Sequence, residues 1–574
     1  MSAQVESIVT AGLRPELFAG RGVLSSSRTL ITVALAVLIV AGFGFRVTGL
    51  SAEGLGEDEL NKLNAVADYR AHGLTSANGE HPMLMKTLEA ATIILAEKWN
   101  NTSFVASHQT ESIAPETALR LPSTVLGALT ALLIYLLTAE LFGAEVALIA
   151  AALWTFDPSA IGFNRIAKED TFLLFFFLLA NVFWLKGQRV AESTDQNPDK
   201  YYWLTGAAYG AMIASKYVPH LITISVSYYW MFQNLPETRW RLGKKKMLTF
   251  FAVMGIVFLI LSPTILLPET WHQMGLFAGS KRISHDGYEF MGHLYTQRFD
   301  DWLKGIPVYF YAVFTLVKLP ILTVFGFVIG LPLLFRRKLG DGRYFIIFWL
   351  FFWGIAFCLP GGKFTRYYTS VLPAVLITAA LGIQFAGRWL ARWVAKVSWG
   401  TGIRHYIPAS LAVIAITCAA IDSVDATPHF RLFTNSLGGG VAKAGTYFPH
   451  DEFYDASMRD TIVEIGRRAR NGARVASESP LVASYYAQRD NRADLVCVSL
   501  SDPEGLKQLE IGDFVIVARG RRYFSNDALI ARLAASAKPD FQMYLKSVPS
   551  VEVYVVNEAT LAAIRHEVEL RASL

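Results

Sequence analysis

Charge is scarce in this chain. Only 17% of its 574 residues are charged and 53% are hydrophobic, whereas a soluble domain carries about 25% charged residues. The deficit excludes an ordinary soluble protein, and repeated apolar runs of about 20 residues point to a membrane protein. Cysteine is scarcer still, with only Cys358, Cys418 and Cys497. Two of them fall in apolar spans and no two have metal-pair spacing, so no disulfide framework is expected and no redox compartment follows. The chain has no internal repeat, no low-complexity tract and no Gly-rich phosphate loop. The net charge of +6 is not a nucleic-acid signal, because the basic residues gather in short loops. No small-residue cleavage site accompanies the first apolar run, which reads as a retained helix rather than a signal peptide.

What is present is a series of about eleven apolar segments, each read as a membrane helix. They lie near 30–50, 119–141, 143–161, 170–187, 201–216, 217–233, 247–267, 306–335, 344–360, 367–386 and 407–423. Lys216, Pro219 and His220 interrupt the pair at 201–233, and Pro320 is expected to kink or break the long stretch 306–335. Basic clusters such as Lys244-Lys245-Lys246 and Arg336-Arg337-Lys338 fall on one side of this arrangement, which the positive-inside rule makes cytoplasmic. The first loop, 51–118, the loop 268–305 and everything after the last span then lie on the outer side.

Within the first loop, 58–71 and 84–99 read as amphipathic helices lying in the interface plane. Beyond 424, helical and strand patterns alternate, as in a small α/β domain. Helices are predicted near 458–470, 480–488 and 525–536. Strands are predicted at 473–478, 494–500, 513–519, 541–547 and 551–557. The expected organisation is therefore a cytoplasmic segment 1–29, a multi-pass α-helical membrane domain 30–423 and an extracytoplasmic α/β domain 424–574.

Two acidic motifs border spans on the outer side: Gly56-Glu57-Asp58-Glu59 and Asn164-Arg165-Ile166-Ala167-Lys168-Glu169-Asp170. Chemistry on a lipid phosphate at the membrane surface needs a carboxylate to accept a proton. It also needs cations to offset charge on a departing phosphate. Asp58 is the candidate base, although local sequence equally allows a helix N-cap. Lys86, in His81-Pro82-Met83-Leu84-Met85-Lys86, is a candidate phosphate ligand or a snorkelling lysine. Arg120, Arg165, Lys216 and Arg366 are further outer-side cations, each equally readable as an interfacial anchor. Glu59 and Asp170 are secondary acidic candidates. His81, His285, His293 and Tyr367 are candidate donor or acceptor contacts. No histidine pair has His-x3-His spacing, so no metal ligand is assigned, no cofactor is required and a divalent metal is signalled only weakly. His450-Asp451-Glu452-Phe453-Tyr454-Asp455 reads as a solvated helix start.

Taken in order, these motifs resemble the GT-C membrane glycosyltransferases, specifically glycosyltransferase family 39, the dolichyl-phosphate-mannose–protein mannosyltransferases, and the related aminoarabinose transferases. Asp58-Glu59 is similar to the family's Asp-Glu pair, and His81 to Lys86 to its His-Pro-Pro-Leu-Gly-Lys motif, with Met83 and Met85 as departures. Arg120-Leu121-Pro122-Ser123 with Gly127, and Arg165 to Asp170, follow in the family's order. Lys216 and Arg366-Tyr367 fall where the family carries cations. The resemblance covers roughly 30–385. It implies an inverting transfer of a hexose such as mannose from a polyprenyl-phosphate donor to a hydroxyl of a protein, glycolipid or polysaccharide. It also implies Asp58 as base, Lys86 and nearby arginines at the donor phosphate, and a bacterial inner membrane location. Two alternatives belong to other classes: a non-catalytic lipid-linked-sugar binding or assembly subunit, and a secondary transporter. The transporter reading expects charges at the bilayer midplane on repeated halves, which this chain does not offer.

Overall fold

The computed structural model describes residues 28–108, 111–193, 197–233, 244–279, 285–396 and 403–573. The expected cytoplasmic segment 1–29 lies almost wholly outside them. Among the described residues, five helices are long and apolar enough to cross a membrane: Thr29–Val47, Pro115–Phe142, Glu169–Ala191, Leu372–Val394 and Ile407–Ala426. Helices Ala144–Phe156 and Pro158–Asn164 meet at 61° and make a sixth crossing if taken as one broken span. The bend falls at Asp157, whose carboxylate caps the second helix at Ala160 N (2.8 Å), followed by Pro158 at the first helical position.

Every one of the other expected segments contains helix, but in shorter or interrupted pieces. Pro320 separates Phe310–Lys318 from Ile321–Leu333, as its missing N–H dictates. Pro219 opens a single 3₁₀ turn between Asp199–Ser215 and Ile222–Gln233. Among the described residues, helix length and composition alone identify five or six crossings, and the expected count of about eleven is not confirmed by them.

The first loop folds as expected into helices Glu57–His72 and Leu84–Asn100. Leu60, Val66, Ile93 and Ala96 do not face open solvent or lipid. They share one apolar core with Met458, Ile462, Val482 and Ala483 from the C-terminal region. Beside this buried face, Leu88, Leu95 and Trp99 form an exposed apolar stripe, consistent with a helix resting at an interface.

The C-terminal region carries a five-stranded sheet of order β4-β3-β5-β7-β6. Its strands are β3 Arg474–Ser477, β4 Val496–Ser499, β5 Phe514–Ala518, β6 Phe541–Leu545 and β7 Val548–Val555; a separate hairpin is formed by β1 Gly287–Phe290 and β2 His293–Thr296. β3 pairs in parallel with both β4 and β5, while β7 runs antiparallel to β5 and β6. Alternate residues face opposite sides, as the two-residue strand period requires. Val475, Ile516 and Val553 join the core shared with the first loop. Ala476, Val515 and Tyr554 pack under helices Asp527–Ser536 and Glu558–Ser573. The last helix was not expected from sequence. The sheet thus seats the first-loop motifs against residues some 400 positions away.

Candidate functional site

Helix Glu57–His72 starts at Gly56, which occupies the N-cap position. The Glu59 carboxylate reaches back to Gly56 N at 3.0 Å, closing the reciprocal half of a capping box. Asp58 is therefore not the cap; that role is filled by its neighbours. Its side chain is 37% exposed and points at a cluster of cations. Oδ2 accepts from Lys168 Nζ and from the Tyr454 hydroxyl at 3.2 Å, and lies 3.9 Å from Arg366 Nη2. No hydrogen bond among the described residues reaches Oδ1. Burial alone would raise the Asp58 pKa, but Lys168, Arg366 and Lys62 hold it well below the usual carboxylate range. Asp58 is thus an ionised carboxylate with one oxygen held and the other open.

Lys168, Glu169 and Asp170 enter from the start of the helix Glu169–Ser193. Glu169 pairs with Lys62 at 2.9 Å and faces His81 Nδ1 at 3.5 Å. Asp170 pairs with Lys216 at 2.6 Å. Tyr367 offers its ring to Lys216 at 4.7 Å and to Arg366 at 5.5 Å. Arg366 also lies 3.9 Å over Phe364 and 3.8 Å from Asp451 Oδ1. Its guanidinium makes ion pairs at the edge of contact but no hydrogen bond among the described residues, so its planar donors are uncommitted. Asp58, Lys168, Arg366, Lys216, Asp170 and Tyr367 are therefore brought together. An anion arriving here meets a bidentate donor and two lysines.

Other expected site residues stand elsewhere. Arg120 spends all five N–H groups within the protein: two on Glu59, at 2.8 and 2.6 Å, and three on the carbonyls of Leu50, Glu53 and Gly54. Arg165 donates to the carbonyls of Phe45, Arg46, Thr48 and Gly49 at the end of the first membrane helix. Lys86 is buried and donates to three carbonyls, Ala77, Asn78 and His81, at 3.3, 2.8 and 3.0 Å. These three cations hold loops and helix ends. Glu59, anchored by Arg120 and by Ala167 N at 2.9 Å, belongs to the same scaffold. Gly127, from the second motif, makes room for Asn164, since a Cβ there would sit 2.4 Å from Asn164 Cγ.

Burial drives His81 down to about 3, with Lys62 and Lys168 adding to the effect against the pull of Glu169. It drives His285 down to about 2, reinforced by Arg521 and His450. Both rings are neutral at physiological pH and offer hydrogen bonds rather than charge. His285 stacks on Tyr523 at 4.3 Å and faces Glu57 at 3.8 Å, on the flank of the site. His293 is exposed beside the turn of the β1–β2 hairpin.

The largest departure from sequence concerns 450–455. Expected as a solvated helix start, it is buried, with His450, Asp451, Glu452 and Asp455 all at 6% exposure or less. Asp451 accepts from the Tyr288 hydroxyl and Thr365 N at 2.6 and 2.8 Å, Glu452 pairs with Lys318 at 2.9 Å, and Asp455 pairs with Arg521. The density of acidic groups was visible in the sequence. Their buried cationic and N–H partners, distant in the chain, were not. Lys168 and Lys62 were likewise passed over.

Among the described residues no group of three or more His, Cys, Asp and Glu side chains is arranged to hold a metal ion.

Apolar helices long enough to cross a membrane, a first loop packed against the C-terminal region and a carboxylate facing cations together make up an integral membrane protein of the kind the motifs resemble. A family model described as dolichyl-phosphate-mannose-protein mannosyltransferase matches residues 58–275, so the resemblance read from the motifs is borne out. The oligosaccharyltransferase of Archaeoglobus fulgidus, solved with a tethered acceptor peptide, shares the fold. It aligns over 86% of this chain and 69% of its own, with TM-score 0.52 and 12% identity. The same enzyme with an inhibitory peptide and a dolichol-phosphate aligns over 85% and 69%, with TM-score 0.51 and 10% identity. ArnT from Cupriavidus metallidurans bound to undecaprenyl phosphate aligns over 93% and 99%, with 14% identity and TM-score 0.46. No curated protein matches the chain. The chain is thus similar to membrane glycosyltransferases by family model over residues 58–275 and by fold over most of its length.

Proposed function

We propose that the protein transfers a hexose, with mannose the first candidate, from a polyprenyl-phosphate donor to a hydroxyl of a protein, glycolipid or polysaccharide. The acceptor oxygen attacks the anomeric carbon from the face opposite the phosphate. The carbon–oxygen bond to phosphate breaks, the configuration inverts, and the proton passes to Asp58 Oδ1. The leaving group goes from a singly charged diester to a more highly charged monoester. Arg366, with Lys168 and Lys216, offsets that gain. No metal or cofactor has a part in this scheme.

The observation that carries the reading is Asp58 itself. Its Oδ2 is held by Lys168 and Tyr454, its Oδ1 is open, and an uncommitted arginine lies beside it. The basic loops support a cytoplasmic side opposite this site, so the reaction and the C-terminal α/β region are assigned to the extracytoplasmic face. Lys86, Arg120 and Arg165 are assigned to shaping the site rather than to the phosphate. The test is transfer from labelled polyprenyl-phosphate mannose in membranes containing the protein. Label should appear in protein, lipid or polysaccharide fractions. No incorporation above control membranes, with this and with other polyprenyl-phosphate hexoses, would exclude the reading.

A further inference from the structure

We infer that the segment Phe448–Asp455 is part of the catalytic apparatus, with Tyr454 the positioning residue that fixes which oxygen of Asp58 receives the proton. The inference rests on the reading of Asp58 as base, and deepens it.

Four observations converge. First, the Tyr454 hydroxyl donates to Asp58 Oδ2 at 3.2 Å, the same oxygen that Lys168 holds. Two donors on one oxygen stop the carboxylate from rotating and leave Oδ1 as the open acceptor. Second, Tyr454 (φ 45°) and Asp455 (φ 58°) are consecutive non-glycine residues in the left-handed region. Bulky residues rarely adopt this backbone, and it persists only where the surroundings enforce it.

Third, the Tyr454 ring lies against the backbone of Gly56, two residues before Asp58. A Cβ at Gly56 would stand 2.3 Å from the ring. The close approach that carries the phenol to Asp58 therefore requires glycine at the helix N-cap. Fourth, the same segment grips the rest of the site. Asp455 accepts from Glu57 N at 3.3 Å and from Ser479 Oγ at 2.9 Å, and pairs with Arg521. Asp451 binds Thr365 N and stands 3.8 Å from Arg366.

Asp58 and Arg366, 308 positions apart in the chain, are thus placed from one short stretch of the C-terminal region. A segment that served packing alone would have no need of a buried phenol aimed at a half-exposed carboxylate.

The charged and titratable groups facing Asp58 are Glu57 and Lys62 from its own helix, and His81, Lys168, His285, Arg366, Tyr367 and Tyr454 from elsewhere. Among these, Tyr454→Phe removes a single donor to the carboxylate and no charge. The test is transfer kinetics of full-length Tyr454→Phe from pH 2.5 to pH 8, beside Gly56→Ala and Asp58→Asn. We expect kcat to fall about tenfold or more, KM for the donor to stay put, and the acid limb of kcat to move to higher pH. Gly56→Ala, which displaces the ring, should do the same. Wild-type kcat and acid limb in Tyr454→Phe, with Asp58→Asn inactive, would overturn the inference and leave Asp58 as base. A fall in rate that only tracks the amount of folded protein, with the limb unmoved in both variants, would also overturn it. Full activity in Asp58→Asn would instead remove the base reading itself.

Discussion

Glu59 and Arg120 form a closed bidentate pair, 2.8 and 2.6 Å, between the first-loop helix and the start of the helix Pro115–Phe142. Their side chains are 0% and 3% exposed. Removing one partner of such a pair strands the other, at a cost of about 3–5 kcal/mol. Glu59→Ala and Arg120→Ala should therefore lower the unfolding midpoint sharply in detergent. Arg120→Lys should not restore it, because three donors on a single nitrogen cannot replace five in a planar fork. A thermal unfolding series across the three variants checks this.

Lys86 and Arg366 are both cations of the resemblance, but the structure gives them opposite consequences. Lys86→Met leaves the carbonyls of Ala77, Asn78 and His81 without their donor. Its first effect should be faster proteolytic cleavage of the loop around 73–83. Arg366→Gln touches no hydrogen bond among the described residues. It should leave that cleavage rate unchanged while cutting transfer by about 100-fold. Limited proteolysis and transfer rates measured on the same two preparations separate the roles.

Lys168 gives a pH dependence with a definite sign. Burial and the neighbouring Arg366 bring its pKa down to about 8, against the pull of Asp58. Above that pH the amine is neutral, Asp58 loses its ion-pair partner and the site loses positive charge. Transfer should fall as pH rises through about 8. Lys168→Arg stays charged and should flatten the limb. Lys86 is also brought down to about 8 by burial and Lys62, so any limb remaining in Lys168→Arg should disappear in the double variant with Lys86→Met. Rate profiles from pH 6 to 10 give the answer.

Glu89 is fully buried, and neither of its carboxyl oxygens has a hydrogen-bond partner. Burial raises its pKa to about 8 from the usual 4.5, despite the pull of Lys62. In the folded protein the group is neutral; in the unfolded chain it ionises above about 4.5. The stability tied to this proton is full below that pH and lost as pH rises toward 8. Glu89→Gln should therefore stabilise the protein at pH 7.5 by on the order of 4 kcal/mol and have little effect at pH 4.5. Paired unfolding curves at the two pH values test it.

Local patterns carried much of the fold. The apolar runs, the Pro320 break and the alternation of β3 to β7 with helices Met458–Arg468, Pro480–Arg489 and Asp527–Ser536 follow from periodicity and turn chemistry. These are properties of neighbouring residues. The number of crossings is not decided by these patterns, because Asp157 and Pro320 cut apolar runs into pieces whose paths depend on packing. In the site, motif order located Asp58, Arg366 and Lys216. It did not say which cations were already occupied. That depends on carbonyls such as those of Leu50 and Gly54 around Arg120, which turn toward it only in the folded loop. The buried chain of Asp451, Tyr454 and Asp455 was hidden for the same reason, since each partner lies more than 20 residues away.

The proposed reaction depends on Asp58 as the proton acceptor. The direct measurement is transfer from labelled polyprenyl-phosphate sugar by purified Asp58→Asn, matched to wild type in membrane expression and unfolding midpoint. The substitution keeps the shape of the side chain and its contact with Tyr454 but removes the base. With Asp58 as the base, transfer should fall to background while the protein remains folded. Transfer near the wild-type rate would contradict it.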